Sequence, residues 1–99
     1  MITYIDACQK AFSRKREYAE HGIKAKIVRA LDCGDFYTFQ IGCFDSTGKQ
    51  YYPMGGKHEY DIRKSDGAII DYPPYFPGTD YGNKIDNAKE LDIPYEYRE

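Results

Sequence analysis

The chain has no tryptophan, only two histidines and only three cysteines in 99 residues. His21 and His58 have no cysteine or carboxylate at a close, repeated spacing, so no metal-ligand signature is present and no metal or cofactor is expected. His21 stands next to Gly22, where a helix C-terminus would favour an imidazolium, a structural role. Cys8, Cys33 and Cys43 are odd in number and far apart, which is not the pattern of a disulfide framework. Reduced thiols are expected, and with them a cytoplasmic location. No basic segment followed by an apolar run opens the chain, so no signal peptide is expected. No apolar stretch approaches the ~20 residues that span a bilayer. The net charge of −2 is too small to name a partner.

Its distribution says more. Residues 1–29 carry seven Lys/Arg and three Asp/Glu, a balance of +4, whereas residues 30–99 carry seven and thirteen, a balance of −6. The cluster Arg14-Lys15-Arg16 reads as a solvated helix face. Nucleic-acid binding would need cations among the sheet aromatics, but Asp32, Asp35, Glu59, Asp61 and Asp71 stand there and repel phosphate. The acidic remainder favours a protein partner with a basic surface.

What is present reads as one α+β domain over residues 1–99, an ordinary length for a single core. Thr3 precedes an apolar pattern and has Asp6 three residues on, a capping box with Asp in place of Glu. Ile5, Cys8, Ala11, Phe12, Lys15 and Ala19 follow at helical spacing up to Gly22, predicting an amphipathic helix over 4–20. Residues 24–32 and 36–44 flank Gly34-Asp35 as a hairpin. A two-residue loop would pair Ala30 with Phe39; a three-residue loop would pair Ile27 with Ile41. A slip of one residue exchanges the faces.

Asp45–Lys49 forms a turn, and Tyr51-Tyr52 begins a strand that Pro53 and Gly55-Gly56 interrupt. Residues 57–63 alternate, with His58, Tyr60 and Ile62 on the inner face and Lys57, Glu59, Asp61 and Arg63 on the outer. Ser65-Asp66-Gly67 turns into Ala68–Tyr72, giving a second hairpin. The result is an antiparallel four-stranded sheet beside the N-terminal helix. Ile85, Ala88 and Leu91 suit a short C-terminal helix ending before Pro94, followed by a polar tail, Tyr95–Glu99, prone to fray.

No catalytic set emerges, and the chain is expected not to be an enzyme. Cys8 falls on the apolar stripe of the helix, and Cys33 and Cys43 border a turn and end a strand, with no base at a telling spacing. Asp61, Asp66 and Asp71 have local explanations as a polar-face residue, a turn residue and a strand end. Gly55-Gly56 lacks the longer pattern of a phosphate loop.

The strongest binding cue is Asp71-Tyr72-Pro73-Pro74-Tyr75-Phe76-Pro77-Gly78-Thr79-Asp80-Tyr81. Prolines lower the entropy lost when a loop is ordered. Tyrosine offers large contact area with few rotors. Asp71, Tyr72, Tyr75, Phe76, Asp80 and Tyr81 are therefore the expected contact residues. Two other readings are open: a small-ligand pocket between helix and sheet, or a homo-oligomeric module, such as a homodimer, pairing through an edge near Lys57–Arg63 or Tyr51-Tyr52.

The order helix, hairpin, hairpin resembles the cystatin-like architecture. The segment Gly55–Ile70 has glycine before an alternating Tyr60/Ile62 strand, an Asp-Gly turn and an apolar strand. It is similar to the final hairpin of small bacterial domains of that kind, PepSY-type domains and toxin-immunity proteins among them. The immunity group often carries a sheet Trp, whose place Phe36, Tyr37 and Phe39 would fill here. The resemblance implies a non-catalytic inhibitor or partner-binding domain, such as an immunity protein that neutralises a toxin or enzyme, and assigns no residue a role.

Overall fold

The computed structural model describes residues 1–14, 24–51, 59–70 and 75–98. Helix α1 (Tyr4–Arg14) begins where the capping box placed it. The Thr3 amide donates to Asp6 Oδ2 (3.3 Å), and the Asp6 amide donates to Thr3 Oγ1 (3.1 Å). These reciprocal bonds occupy donors that the first helical turn leaves without partners. Residues 15–20 of the expected helix, with Gly22, lie outside the described residues. The buried face consists of Ala7, Cys8 and Ala11, flanked by Tyr4 and Phe12. Ile5, expected on the stripe, is instead half-exposed, because the small side chains set the line of closest approach to the sheet.

The sheet is larger than four strands. Strands β1 (Lys24–Asp32), β2 (Phe36–Phe44), β4 (Glu59–Arg63), β5 (Ile69–Ile70) and β6 (Lys89–Leu91) lie in the order β5-β4-β2-β1-β6, every pair antiparallel. The two-residue β3 (Gln50–Tyr51) pairs with the far end of β2, beyond β4. The expected helix around Ile85–Leu91 divides in two. Helix α2 (Asp80–Asp86) starts earlier, capped by Thr79, and Leu91 belongs to β6 against Ala30. The tail is also pinned. Tyr95–Tyr97 forms a 3-10 turn, and the Tyr97 ring meets Phe12 edge-on at 5.5 Å.

Both hairpin registers occur in one strand pair. Near the Gly34 turn, Ala30 faces Phe39; beyond Val28, Ile27 faces Ile41. Val28 is the extra residue of a β-bulge and turns outward. The bulge lets Ala25 and Ile27 share a face with Ala30, although their sequence parity differs.

Two cores result. On the α1 side, Ala25, Ile27, Ala30, Phe39, Ile41, Tyr60 and Ile62 pack against Ala7, Cys8 and Ala11. On the other side, Leu31, Cys33 and Phe36 pack against Tyr81 of α2, with Ile85 and Ala88 alongside. The Phe36 and Tyr81 rings stack at 5.9 Å. This second layer changes the reading of β4. Tyr60 and Ile62 face α1 as alternation requires, but the opposite face is covered too, and Asp61 is only 2% exposed.

Candidate functional site

Among the described residues of the Tyr/Pro loop, Phe76 is the most exposed aromatic, at 61%, yet its backbone is fixed. Its carbonyl accepts from Thr79 Oγ1 at 2.7 Å and from the Thr79 amide at 3.3 Å. Thr79 Oγ1 also accepts from the Gly82 amide at 3.0 Å, so one threonine caps α2 and holds the turn. Gly78 takes φ +84°, the left-handed conformation that closes the turn without strain. Gly82 fits directly under the Phe76 carbonyl, where a Cβ would collide with the backbone. A large ring is thus presented to solvent on a rigid mount.

Tyr75 is 43% exposed, and its hydroxyl donates to Asp86 Oδ1 at 2.7 Å. That hydrogen bond holds the phenol above its ordinary pKa. Asp80 is almost fully exposed at the start of α2, and Lys84 Nζ lies 3.7 Å from it. Tyr81 is different from the surface contact expected of it. Its ring is buried, and its hydroxyl reaches Asp61 at 3.1 Å (Oδ2) and 3.3 Å (Oδ1). Amphipathic spacing on α2 turns Tyr81 and Ile85 to the sheet while Asp80 faces out. Asp71 and Tyr72, with Pro73 and Pro74, lie outside the described residues.

Beneath the loop, Asp61 anchors a buried polar cluster. Thr38 Oγ1 donates to Asp61 Oδ1 at 2.6 Å, and Cys33 Sγ lies 3.5 Å from Thr38 Oγ1. The threonine proton is committed to the carboxylate, so the thiol supplies the proton of the second contact. Burial, then the nearby Asp61 charge, raises the Tyr81 phenol far above its ordinary range and keeps it a neutral donor. Burial likewise raises the thiols of Cys8, Cys33 and Cys43, which disfavours the nucleophilic thiolate.

Between this face of the sheet and α2 opens a groove of about 230 Å³. Thr38, Gln40 and Glu59 line it from the sheet; Tyr75, Tyr81, Ile85 and Asp86 line it from the loop and helix. A second cleft of about 500 Å³ lies between α1 and β5, lined by Ile2, Asp6, Gln9, Lys10, Ser13, Arg14 and Ile69. Among the described residues, no three His, Cys, Asp or Glu side chains converge as a metal site. Both histidines, including the His58 that a catalytic pocket would call upon, are outside them. Among the described residues, no helix is long and apolar enough to cross a membrane.

No family model, curated protein or solved structure matches this chain. The geometry must carry the functional reading. Sequence alone joined Tyr75 and Phe76 to one loop but did not bring Glu59 or Gln40 to it, since they lie 16 and 35 positions before Tyr75 in the chain and that separation obscures the meeting. One local signal was available: Thr79 before Asp80 is an N-cap pattern, and it would have started α2 at its observed position.

Proposed function

We propose that the protein is a partner-binding module of the inhibitor or immunity kind, which acts by covering a surface on another protein rather than by chemistry. The observation that carries this reading is Phe76: a large ring left in solvent while Thr79 and Gly82 fix the backbone beneath it. Pre-organisation of an exposed aromatic lowers the entropy lost on association, as expected of an interface anchor. Tyr75 beside it is held by Asp86, and Asp80 and Asp86 give the same surface the acidic character that suits a basic partner. The thiols, buried and raised, are poor candidates for nucleophilic chemistry.

The cystatin-like resemblance supports the same reading. The continuous antiparallel path β1-β2-β4-β5 against one N-terminal helix is in keeping with it, and β6 and α2 are additions to that plan.

The test is affinity capture from the native cell with the whole chain, alongside a Phe76→Ala variant of unchanged thermal midpoint. A partner recovered by the natural chain and identified by mass is expected to bind the variant more weakly by ~2 kcal/mol or more in calorimetry. Equal affinity of the two chains would remove this surface from consideration.

A further inference from the structure

We infer that the groove between the sheet and α2 receives an arginine side chain of the partner, a proposal that rests on the partner-binding reading and specifies its chemistry. Its walls combine two features that a guanidinium requires. Tyr75 and Tyr81 supply aromatic surface. Glu59 on β4 and Asp86 on α2 bring carboxylates to the same opening. Neither acid has a basic partner among the described residues, whereas Asp32, Asp35, Asp66 and Glu90 are matched by Lys64, Lys84, Arg63 and Arg29. Asp86 Oδ1 already accepts from Tyr75, which orients the carboxylate and leaves Oδ2 for a second donor. Tyr81 cannot serve as a competing donor at the opening, because its proton is directed inward to Asp61.

The groove's volume of about 230 Å³ suits one long side chain. Arginine fits better than lysine because its planar fork can meet two carboxylates while its face lies on a ring; an ammonium is a point charge with a tighter hydration shell. The apolar wall from Ile85 would take the methylene stem.

The test uses the whole chain and three capped tripeptides, acetyl-Gly-Xaa-Gly-amide with Xaa Arg, Lys or Gln, titrated at low salt and followed by NMR. The arginine peptide is expected to shift the Tyr75, Tyr81 and Ile85 resonances saturably, with lysine weaker by about threefold or more and glutamine inert. Glu59→Gln is expected to weaken the arginine peptide by about threefold to fivefold at an unchanged unfolding midpoint. Equal shifts from arginine and glutamine, equal affinities for arginine and lysine, or an unaffected Glu59→Gln chain would each overturn the assignment. Phe76→Ala separates the two proposals. If it abolishes binding of the captured partner while Glu59→Gln leaves that binding intact, the groove assignment fails and the partner-binding reading stands. If Phe76→Ala leaves binding of the captured partner intact while Glu59→Gln weakens it and the arginine titration behaves as stated, the groove assignment stands and the Phe76 anchor fails.

Discussion

Thr38 and Asp61 face each other directly across β2 and β4, and the threonine hydroxyl donates to the carboxylate at 2.6 Å inside the sheet's second core. A buried carboxylate is costly unless donors surround it. Tyr81 contributes another donor from α2, so the hydrogen bond that satisfies Asp61 also ties the helix to the sheet. Tyr81→Phe keeps the ring stacked on Phe36 and removes only that donor. It is expected to cost about 1–3 kcal/mol in urea unfolding. A variant as stable as the natural chain would contradict the role given to this contact.

The bulge at Val28 predicts an asymmetry between two single-residue deletions. Removing Val28 leaves Arg29 opposite Gln40 and Ile27 opposite Ile41, and Ala25, Ile27 and Ala30 then share a face by plain alternation. Removing Gln40 from the central strand β2 instead sends either Phe39 or Ile41 to the wrong face. The Val28 deletion is expected to retain a cooperative urea transition and the Gln40 deletion to lose it. The opposite result in circular dichroism would refute the pairing.

Acid should weaken the fold through paired carboxylates. Partial burial works against ionisation of Asp32, but the Lys64 ammonium at 2.7 Å and the Gly34 amide outweigh it and hold the carboxyl below its ordinary value. The Arg63 fork does the same for Asp66. Groups whose folded pKa lies below the unfolded one bind fewer protons when folded. Their contribution is therefore present above about pH 4 and lost as pH falls further. Asp32→Asn is expected to show a lower urea midpoint at pH 7 and a shallower decline below pH 4 than the natural chain. Parallel declines would rule out Asp32 as a contributor. At the alkaline end the sign reverses. Burial raises Tyr4 and Tyr81, so their contribution is lost as pH rises beyond about 10.

Gly82→Ala should unseat the loop from below. The new Cβ meets the Phe76 carbonyl, which is backbone and cannot rotate away. A loss of about 1–3 kcal/mol in stability is expected from overpacking. Partner affinity, measured by calorimetry below the variant's unfolding temperature, should fall with it, because Phe76 leaves its mount. Retained affinity would show that the mount is not what presents the ring.

Much of this molecule is written locally. Thr3 and Asp6 are three residues apart, so the cap that starts α1 is visible in the sequence. Gly34 and Gly67 both take positive φ at hairpin turns, and the sequence marks both turns by an adjacent aspartate. The alternation of Tyr60 and Ile62 gave the α1 face of β4 correctly for the same reason: strand parity depends only on neighbours.

The second face was decided elsewhere. Asp61 reads as a solvent residue by parity, and it is buried because Tyr81, twenty residues later in the chain, brings a hydroxyl and a ring over it. Val28 joins two registers that the hairpin sequence offers equally, and packing on both faces at once selected the combination. Leu91 has a helical neighbour pattern but pairs with Ala30, since β1 offered an open edge. Periodicity along a chain fixes which side chains lie together on one element. Which of those faces meets water depends on what arrives from distant sequence, and only the assembled tertiary structure contains that information.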